Sequence, residues 1–181
     1  MYRGLCKQQQ KQFHEALKDY ALAIHRGPNN TDIYVNRGAA KLQLKLYQSA
    51  ISDFDTAIIL DSKNENAYLN RGVALYELKQ FDAALEEVNK AIKLNYLNKA
   101  AYLRRGILKF GMKKYEEAIF DFELSMKLDD EDPLLYYFRA ISHYYLEDKE
   151  KAYADYAKVL ELDPYNALTF YNRAILKSED K

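Results

Sequence analysis

The chain has 181 residues, and its 27 basic and 27 acidic side chains give a formal net charge of zero. This balance provides no whole-chain field toward nucleic acid or an anionic membrane surface, and no segment approaches the roughly 18 consecutive apolar residues of a membrane span. The single cysteine, Cys6, excludes an internal disulfide and a cysteine-cluster metal site, so we expect an intracellular, cytoplasmic protein without membrane insertion.

A small residue recurs every 34 positions from one end of the chain to the other. An alanine series from Ala16 to Ala152 and an aromatic series from Tyr34 to Phe170 keep the same step. A fixed period of this length is the signature of stacked structural repeats. The pattern predicts a single solenoid over 1–181, with units 1–30, 31–64, 65–98, 99–132 and 133–166 and a terminal helix at 167–178. The small residues are Gly4, Gly38, Gly72, Gly106, Ala140 and Ala174.

Each unit is predicted to form two helices joined by a short turn. In the unit 65–98, apolar residues favour a first helix over 67–78 and a second over 82–94, with the turn at 79–81. A short polar side chain closes each unit, where it can cap the next helix by accepting a backbone N–H bond. The predicted caps are Asn30, Asn64, Asn98, Asp132 and Asn166.

The period, the Tyr-x-x-Arg-Gly runs at 34–38 and 68–72, the Ala-x-x-x-Phe run at 50–54 and the Asp-Pro run at 163–164 resemble tetratricopeptide repeats. The resemblance covers the whole chain, although tyrosine replaces the tryptophan of the family and arginine replaces the leucine before the glycine. It implies an all-α fold, a right-handed superhelical solenoid of antiparallel helix hairpins. Because Met1 falls inside a predicted helix, we expect the chain to be a piece of a longer protein.

An arginine precedes every small residue, and an acid recurs with the same period in the second helices. The arginines project toward the second helices, where a charge needs a partner, so we interpret them as structural ion pairs rather than as an anion-binding ladder. Arg173 has no second helix of its own, which favours pairing between units. The predicted pairs are Arg37 with Asp19, Arg71 with Asp53, Arg105 with Glu87, Arg139 with Asp121 and Arg173 with Asp155.

No catalytic constellation is found in the sequence. The three histidines, His14, His25 and His143, stand in unrelated contexts without the spacing of a metal site. There is no glycine-rich phosphate loop and no nucleophile with a local signature. We therefore expect no enzyme activity, no cofactor, no metal and no catalytic residues.

The first helices are apolar on a second side as well. Leu69, Val73 and Tyr76 follow an i, i+4, i+7 spacing and share one face, rotated away from Arg71. In the resembled family, this side lines a concave groove that binds partners; the alternative is that neighbouring first helices cover positions such as Val73. The predicted partner-binding residues are Leu69, Asn70, Val73, Tyr76, Leu103, Arg104, Ile107, Phe110, Tyr137, Ile141, Tyr144 and Tyr145.

Two functions are left open. The first is a protein–protein interaction scaffold that binds a peptide or an amphipathic segment of a partner protein in the groove. The alternative is a structural repeat segment of a larger assembly subunit, which stacks or self-associates through its ends. The net charge differs from one unit to the next, so the chain carries no continuous basic stripe that could bind nucleic acid. A clamp for the C-terminal carboxylate of heat-shock chaperones is not expected, because Val35 and Ala39 replace the lysine and asparagine it requires.

Overall fold

A computed structural model describes residues 2–178, so the expectation about Met1 lies outside the described part. Within that range the chain forms eleven α-helices and no strand, which confirms the all-helical prediction. The helices are α1 Tyr2–Gln9, α2 Phe13–Arg26, α3 Thr31–Gln43, α4 Tyr47–Leu60, α5 Glu65–Glu77, α6 Phe81–Leu94, α7 Lys99–Gly111, α8 Tyr115–Met126, α9 Pro133–Tyr145, α10 Lys149–Leu162 and α11 Ala167–Ser178.

The chain divides into two compact units, each of which is described by itself. The N-terminal unit, Met1–Tyr96, contains the hairpins α1–α2, α3–α4 and α5–α6. The C-terminal unit, Leu97–Lys181, contains the hairpins α7–α8 and α9–α10 together with α11. Within each unit, a first helix packs against its own second helix and against the second helix that precedes it.

The predicted caps start the first helices from α3 onward. Asn64 Oδ1 accepts a hydrogen bond from Ala67 N at 2.9 Å, and Asn166 Oδ1 accepts one from Thr169 N at 3.0 Å. The side chains of Asn30, Asn98 and Asp132 accept equivalent bonds at the starts of α3, α7 and α9. Each bond satisfies a backbone donor that the first helical turn leaves without a partner. All five predicted caps are confirmed.

Every hairpin turns through one non-glycine residue with positive φ, at Lys11, Lys45, Lys79, Lys113 and Glu147. At Lys45, for example, φ is 58°. The backbone N–H of Leu46 then donates to Lys41 O at 2.9 Å, which closes the end of α3. The turn predicted at 79–81 lies one residue earlier, at 78–80, because α5 ends at Glu77 and Phe81 already belongs to α6.

The small residues mark where the two helices of a hairpin approach most closely. A Cβ atom added at Gly38 would lie 2.5 Å from Phe54 Cε1, and one at Gly106 would lie 2.4 Å from Phe122 Cε1. The ring of the second helix therefore occupies the space that a side chain on the first helix would need. In these two hairpins the close contact brings the preceding arginine close to the second helix.

The ion pairs lie within hairpins, so the predicted pairing between units is wrong. Arg37 Nη2 is 2.5 Å from Asp53 Oδ1, and Arg71 Nη2 is 2.8 Å from Glu87 Oε2. The antiparallel turn places each arginine opposite the acid sixteen residues later, and close packing at the small residue shortens the reach between them. The remaining pairs are Arg3 with Asp19, Arg105 with Asp121 and Arg139 with Asp155; Arg173 forms no ion pair within residues 2–178.

Contacts to a preceding hairpin exist, but they use a different acid. Arg71 Nη1 also lies 2.6 Å from Asp55 Oδ1, and Arg139 Nη1 lies 3.9 Å from Glu123 Oε1. Both acids stand two residues beyond the position that the sequence predicted. One arginine can thus join two hairpins because its planar guanidinium offers several donors in different directions.

Candidate functional site

In the N-terminal unit, the predicted site residues all belong to α5. Leu69 is buried, whereas Asn70, Val73 and Tyr76 are half-buried. The Tyr76 ring lies 5.6 Å from the Phe81 ring, and burial raises the pKa of its hydroxyl. Leu69 is therefore a core residue with little surface for a partner, and Asn70, Val73 and Tyr76 keep part of their surface open.

In the C-terminal unit, the predicted residues lie on α7 and α9. Leu103 is buried in a cluster with Ala118, Phe122 and Leu135. Ile107 packs beside that cluster and is half-buried, and Arg104 is exposed. Like Leu69, Leu103 belongs to the core, because its position on α7 turns toward α8 and the start of α9.

The other five predicted residues of the C-terminal unit come together around one cavity of about 420 Å³, called here the aromatic cavity. Helix α7 brings its last apolar residue to the cavity, and α9 lines it along two successive turns. The floor and the far wall come from α10 and α11. The lining residues are Phe110, Tyr137, Ile141, Tyr144, Tyr145, Tyr156, Asn172, Ile175 and Leu176.

The walls of the aromatic cavity are held by ring contacts. Tyr145 stacks on Tyr115 with ring centroids 4.8 Å apart and planes 10° from parallel, and 54% of Tyr145 remains exposed. Phe110 lies 6.2 Å from the Tyr145 ring and 5.6 Å from the Phe138 ring, centroid to centroid. Ring pairs at these separations stabilise one another beyond simple burial. These contacts hold the rings of the wall against one another.

Two polar groups of the cavity, on Tyr137 and Asn172, are hydrogen-bonded to each other. Asn172 Nδ2 donates to the Tyr137 hydroxyl at 3.2 Å. Burial raises the pKa of the Tyr156 hydroxyl, and Asn172 has a smaller opposing effect. Because burial disfavours the phenolate, Tyr156 stays protonated and uncharged at neutral pH.

The cavity combines apolar surface with neutral hydrogen-bonding groups. Its lining contains no acidic or basic side chain, only rings, aliphatic chains, hydroxyls and one amide. Over residues 2–178, no group of three or more His, Cys, Asp or Glu side chains is placed to hold a metal ion. In the same range, no helix has both the length and the apolar character needed to cross a membrane.

A second cavity, of about 510 Å³, lies in the N-terminal unit and has a different character. Its lining includes Arg3, Asp19, Leu22 and Arg26. The carboxylate of Asp19 is held by Arg3 and by Lys7, each at 3.1 Å. The lining of this second cavity contains none of the predicted site residues.

Four residues of the aromatic cavity were missed by the sequence prediction. Asn172 and Ile175 stand 34 positions after Phe138 and Ile141, so extending the period into the terminal helix would have found them. Leu176 follows directly on the same helix. Tyr156 belongs to a second helix, and no signal in the first-helix stripe points to it.

Comparisons with known proteins agree on the repeat type. Family models described as tetratricopeptide repeat match residues 4–67, 65–98, 100–132 and 133–166. No curated protein matches the chain in sequence.

Solved structures resemble the chain along most of its length. TTC0263, a thermophilic TPR protein of Thermus thermophilus, is 18% identical, with 97% of this chain and 96% of that chain covered and a TM-score of 0.84. MamA from Desulfovibrio magneticus is 21% identical over 92% of this chain and 94% of that chain, with a TM-score of 0.75. YrrB, a TPR protein with an unusual peptide-binding site, is 20% identical over 94% and 88%, with a TM-score of 0.71. At these identities the likeness establishes the fold.

Proposed function

The chain belongs to the tetratricopeptide repeat family of protein-interaction scaffolds, and we propose that it binds a peptide or an amphipathic segment of a partner protein through the first helices of its C-terminal unit. The aromatic cavity is the centre of this surface. In that unit, Arg104 on α7 is proposed as a polar contact and Ile107 as a flanking contact. In the N-terminal unit, Asn70, Val73 and Tyr76 of α5 are proposed separately as partner contacts.

The observation that carries the proposal is the cavity itself. Five residues chosen from the sequence for a partner surface line one concave, ring-walled space with an open mouth. Concave sites of 300–1,000 Å³ with apolar walls and a few convergent polar groups are the usual form of ligand sites. Aromatic side chains at such positions are frequent hot spots, because they bury a large area at a small entropic loss.

A charge at the mouth of the cavity tests the proposal. Tyr145→Asp places a carboxylate among neutral rings at a position exposed enough to accept it without unfolding the chain. The matched control is Phe120→Asp on α8, where the ring is 57% exposed and does not line the cavity. Partners are identified by affinity capture on the immobilised chain and mass spectrometry, and each partner is then measured by titration.

The expected result is that Tyr145→Asp loses the partners that the unsubstituted chain and Phe120→Asp both retain. Circular dichroism of the two variants checks that their helix content is equal. Retention of the same partners by Tyr145→Asp would place the binding surface elsewhere and overturn the proposal.

One observation favours self-association as a second function. Helix α11 exposes three large side chains, Leu168, Phe170 and Tyr171. Leu168 and Tyr171 are three residues apart and share a helix face that a second copy could cover. Sedimentation of the chain and of Tyr171→Glu over a range of concentrations tests this. A concentration-dependent dimer that the substitution disrupts supports self-association, and a monomer at all concentrations contradicts it.

A further inference from the structure

The chemistry of the aromatic cavity selects its ligand. Resting on the proposed function, we propose that the cavity takes one uncharged aromatic or large aliphatic side chain of the partner peptide. A neighbouring main-chain carbonyl of that peptide accepts a hydrogen bond from the Tyr137 hydroxyl. The cavity is thus an anchor pocket for a neutral residue.

The first support is the absence of charge in the lining. Nine side chains surround the cavity, and none of them is acidic or basic. A lysine or glutamate of the ligand would lose its hydration there without meeting an opposite charge, whereas an apolar side chain gains by leaving water. Electrostatic complementarity therefore favours a neutral anchor.

The ring arrangement also disfavours a cation. Aromatic faces attract lysine or arginine when the charge sits directly over a free face. One face of Tyr145 is occupied by Tyr115 in the 4.8 Å stack, and Phe110 meets the Phe138 ring at 66°. Ile141, Ile175 and Leu176 add aliphatic surface beside the rings of Tyr137, Tyr144 and Tyr156. The Tyr144 ring meets the Tyr145 ring edge-on, and the Tyr137 ring lies 6.4 Å from the Tyr156 ring. Because ring contacts and aliphatic chains occupy the wall, it offers few open ring faces to a cation.

The hydrogen-bonded pair of Tyr137 and Asn172 supplies the polar part of the recognition. The Tyr137 oxygen already accepts a bond from Asn172 Nδ2 at 3.2 Å, so its own O–H is the group left to donate. A tyrosine hydroxyl can do both at once. The ligand must therefore bring an acceptor beside its apolar body, and every peptide residue carries one in its carbonyl group.

The volume limits the anchor to a single residue. About 420 Å³ is near the lower end of the range for ligand sites and suits one large side chain with its adjoining main chain. The chain contains no tryptophan, so the fluorescence of a tryptophan ligand can be followed without interference.

The test uses the full chain and four capped pentapeptides, Ac-Gly-Gly-X-Gly-Gly-NH2, with tryptophan, leucine, lysine or glutamate at X. The tryptophan peptide is titrated by its emission, and the other three compete with it. We expect saturable binding with a blue shift, competition by the leucine peptide, and competition at least about tenfold weaker by the two charged peptides, because desolvating an unpaired charge is unfavourable. Equal competition by either charged peptide, or no binding of the tryptophan peptide, would overturn the inference.

Two conservative variants test the hydrogen bond. Tyr137→Phe keeps the ring and removes the donor, and it should weaken the tryptophan peptide by about fivefold, the size of one ordinary hydrogen bond. Tyr165→Phe removes an exposed hydroxyl that does not line the cavity, and it should change nothing. Equal affinity of Tyr137→Phe and the unsubstituted chain would remove the hydroxyl from the proposal.

The outcome separates this inference from the proposed function. If Tyr145→Asp loses the protein partner while charged and neutral peptides compete alike, the proposed function stands and the neutral anchor is wrong. If Tyr145→Asp changes neither partner capture nor peptide binding, both are wrong.

Discussion

In the C-terminal unit, the first helices carry the same residues on one side and different residues on the other. On the side toward the second helix, α7 and α9 carry the same pair, an arginine followed by a small residue, and the same ion pair sixteen residues on. On the other side, Arg104 and Phe110 of α7 correspond to Phe138 and Tyr144 of α9. The uniform side builds the hairpin, and the variable side is the one that we propose recognises a ligand.

Adjacent arginines on α7 give the largest expected contrast between the two sides. Arg105 makes two hydrogen bonds, of 2.9 and 2.6 Å, to Asp121, which is 0% exposed, whereas its neighbour Arg104 is exposed on the variable side. Arg105→Ala should lower the free energy of unfolding by about 3 kcal/mol, because Asp121 then stays buried with Lys109 alone. Arg104→Ala should change it by less than about 0.5 kcal/mol. Urea unfolding of both variants measures the difference, and equal effects would break the comparison.

The next largest effect on stability is expected where a glycine on the uniform side packs tightly against the second helix. Gly106→Ala places a Cβ 2.4 Å from the Phe122 ring, so the hairpin must open and should lose about 2 kcal/mol. At Gly72 the nearest atom is a methyl carbon of Val88 at 2.9 Å, and the gain in helix propensity offsets more of the clash. Gly72→Ala should therefore cost less than Gly106→Ala in thermal unfolding. The reverse order would contradict ring packing as the cause.

His143 adds a pH-dependent element to the uniform side of α9. It stands where Lys41 and Lys109 pair with a buried acid in other hairpins, at 2.7 and 2.9 Å. Burial lowers the pKa of His143 below 6.5, and Lys151 and Arg139 also lower it. Asp155 and Asp148 have the opposite effect and raise it. The unfolded chain therefore takes up this proton at a higher pH than the folded chain does.

The stability that the neutral His143 contributes is fully present above pH 6.5. As the pH drops below 6.5, the free energy of unfolding should consequently fall by at most about 1.4 kcal/mol per pH unit. His143→Leu copies Leu75, the residue at this position in α5, and should remove that part of the slope. Urea unfolding from pH 7.5 down to pH 5.5, a range spanning the ordinary histidine pKa of about 6.5, measures it. An unchanged slope in His143→Leu would assign the pH dependence to other groups.

The smallest effect on stability is expected on the variable side. Tyr145→Ala removes the stack on Tyr115, which should lower the unfolding free energy by about 1 kcal/mol, since more than half of the ring is already in water. Its effect on partner binding should be larger, at about 2 kcal/mol. Calorimetry for stability and titration for binding compare the two. A loss of stability that exceeds the loss of binding would make Tyr145 a core residue.

The sequence predicted what depends on period and local chemistry. The caps, the hairpins and the small residues follow from side chains that act on their own helix or its nearest neighbour. The ion-pair partners were predicted wrongly because a 34-residue period is equally consistent with pairing inside a hairpin or between hairpins. Only the antiparallel geometry, which sets Arg37 opposite Asp53, decides between them.

The candidate site was predictable in outline for a similar reason. Helical spacing identified the stripe that contains Phe110 and Tyr144, and these residues line the cavity. The same spacing could not separate Leu103, which turns into the core, from Tyr137 at the equivalent position of α9. That distinction depends on which neighbouring helix covers each residue.

The binding role of the aromatic cavity is tested most directly by methyl-labelled isoleucine NMR of the chain during titration with a captured partner. Ile141 and Ile175 line the cavity, whereas Ile119 on α8 does not. We expect the methyl signals of Ile141 and Ile175 to shift and saturate with the partner while that of Ile119 stays in place. Shifts centred on Ile119, with Ile141 and Ile175 unmoved, would contradict a binding site on the first helices.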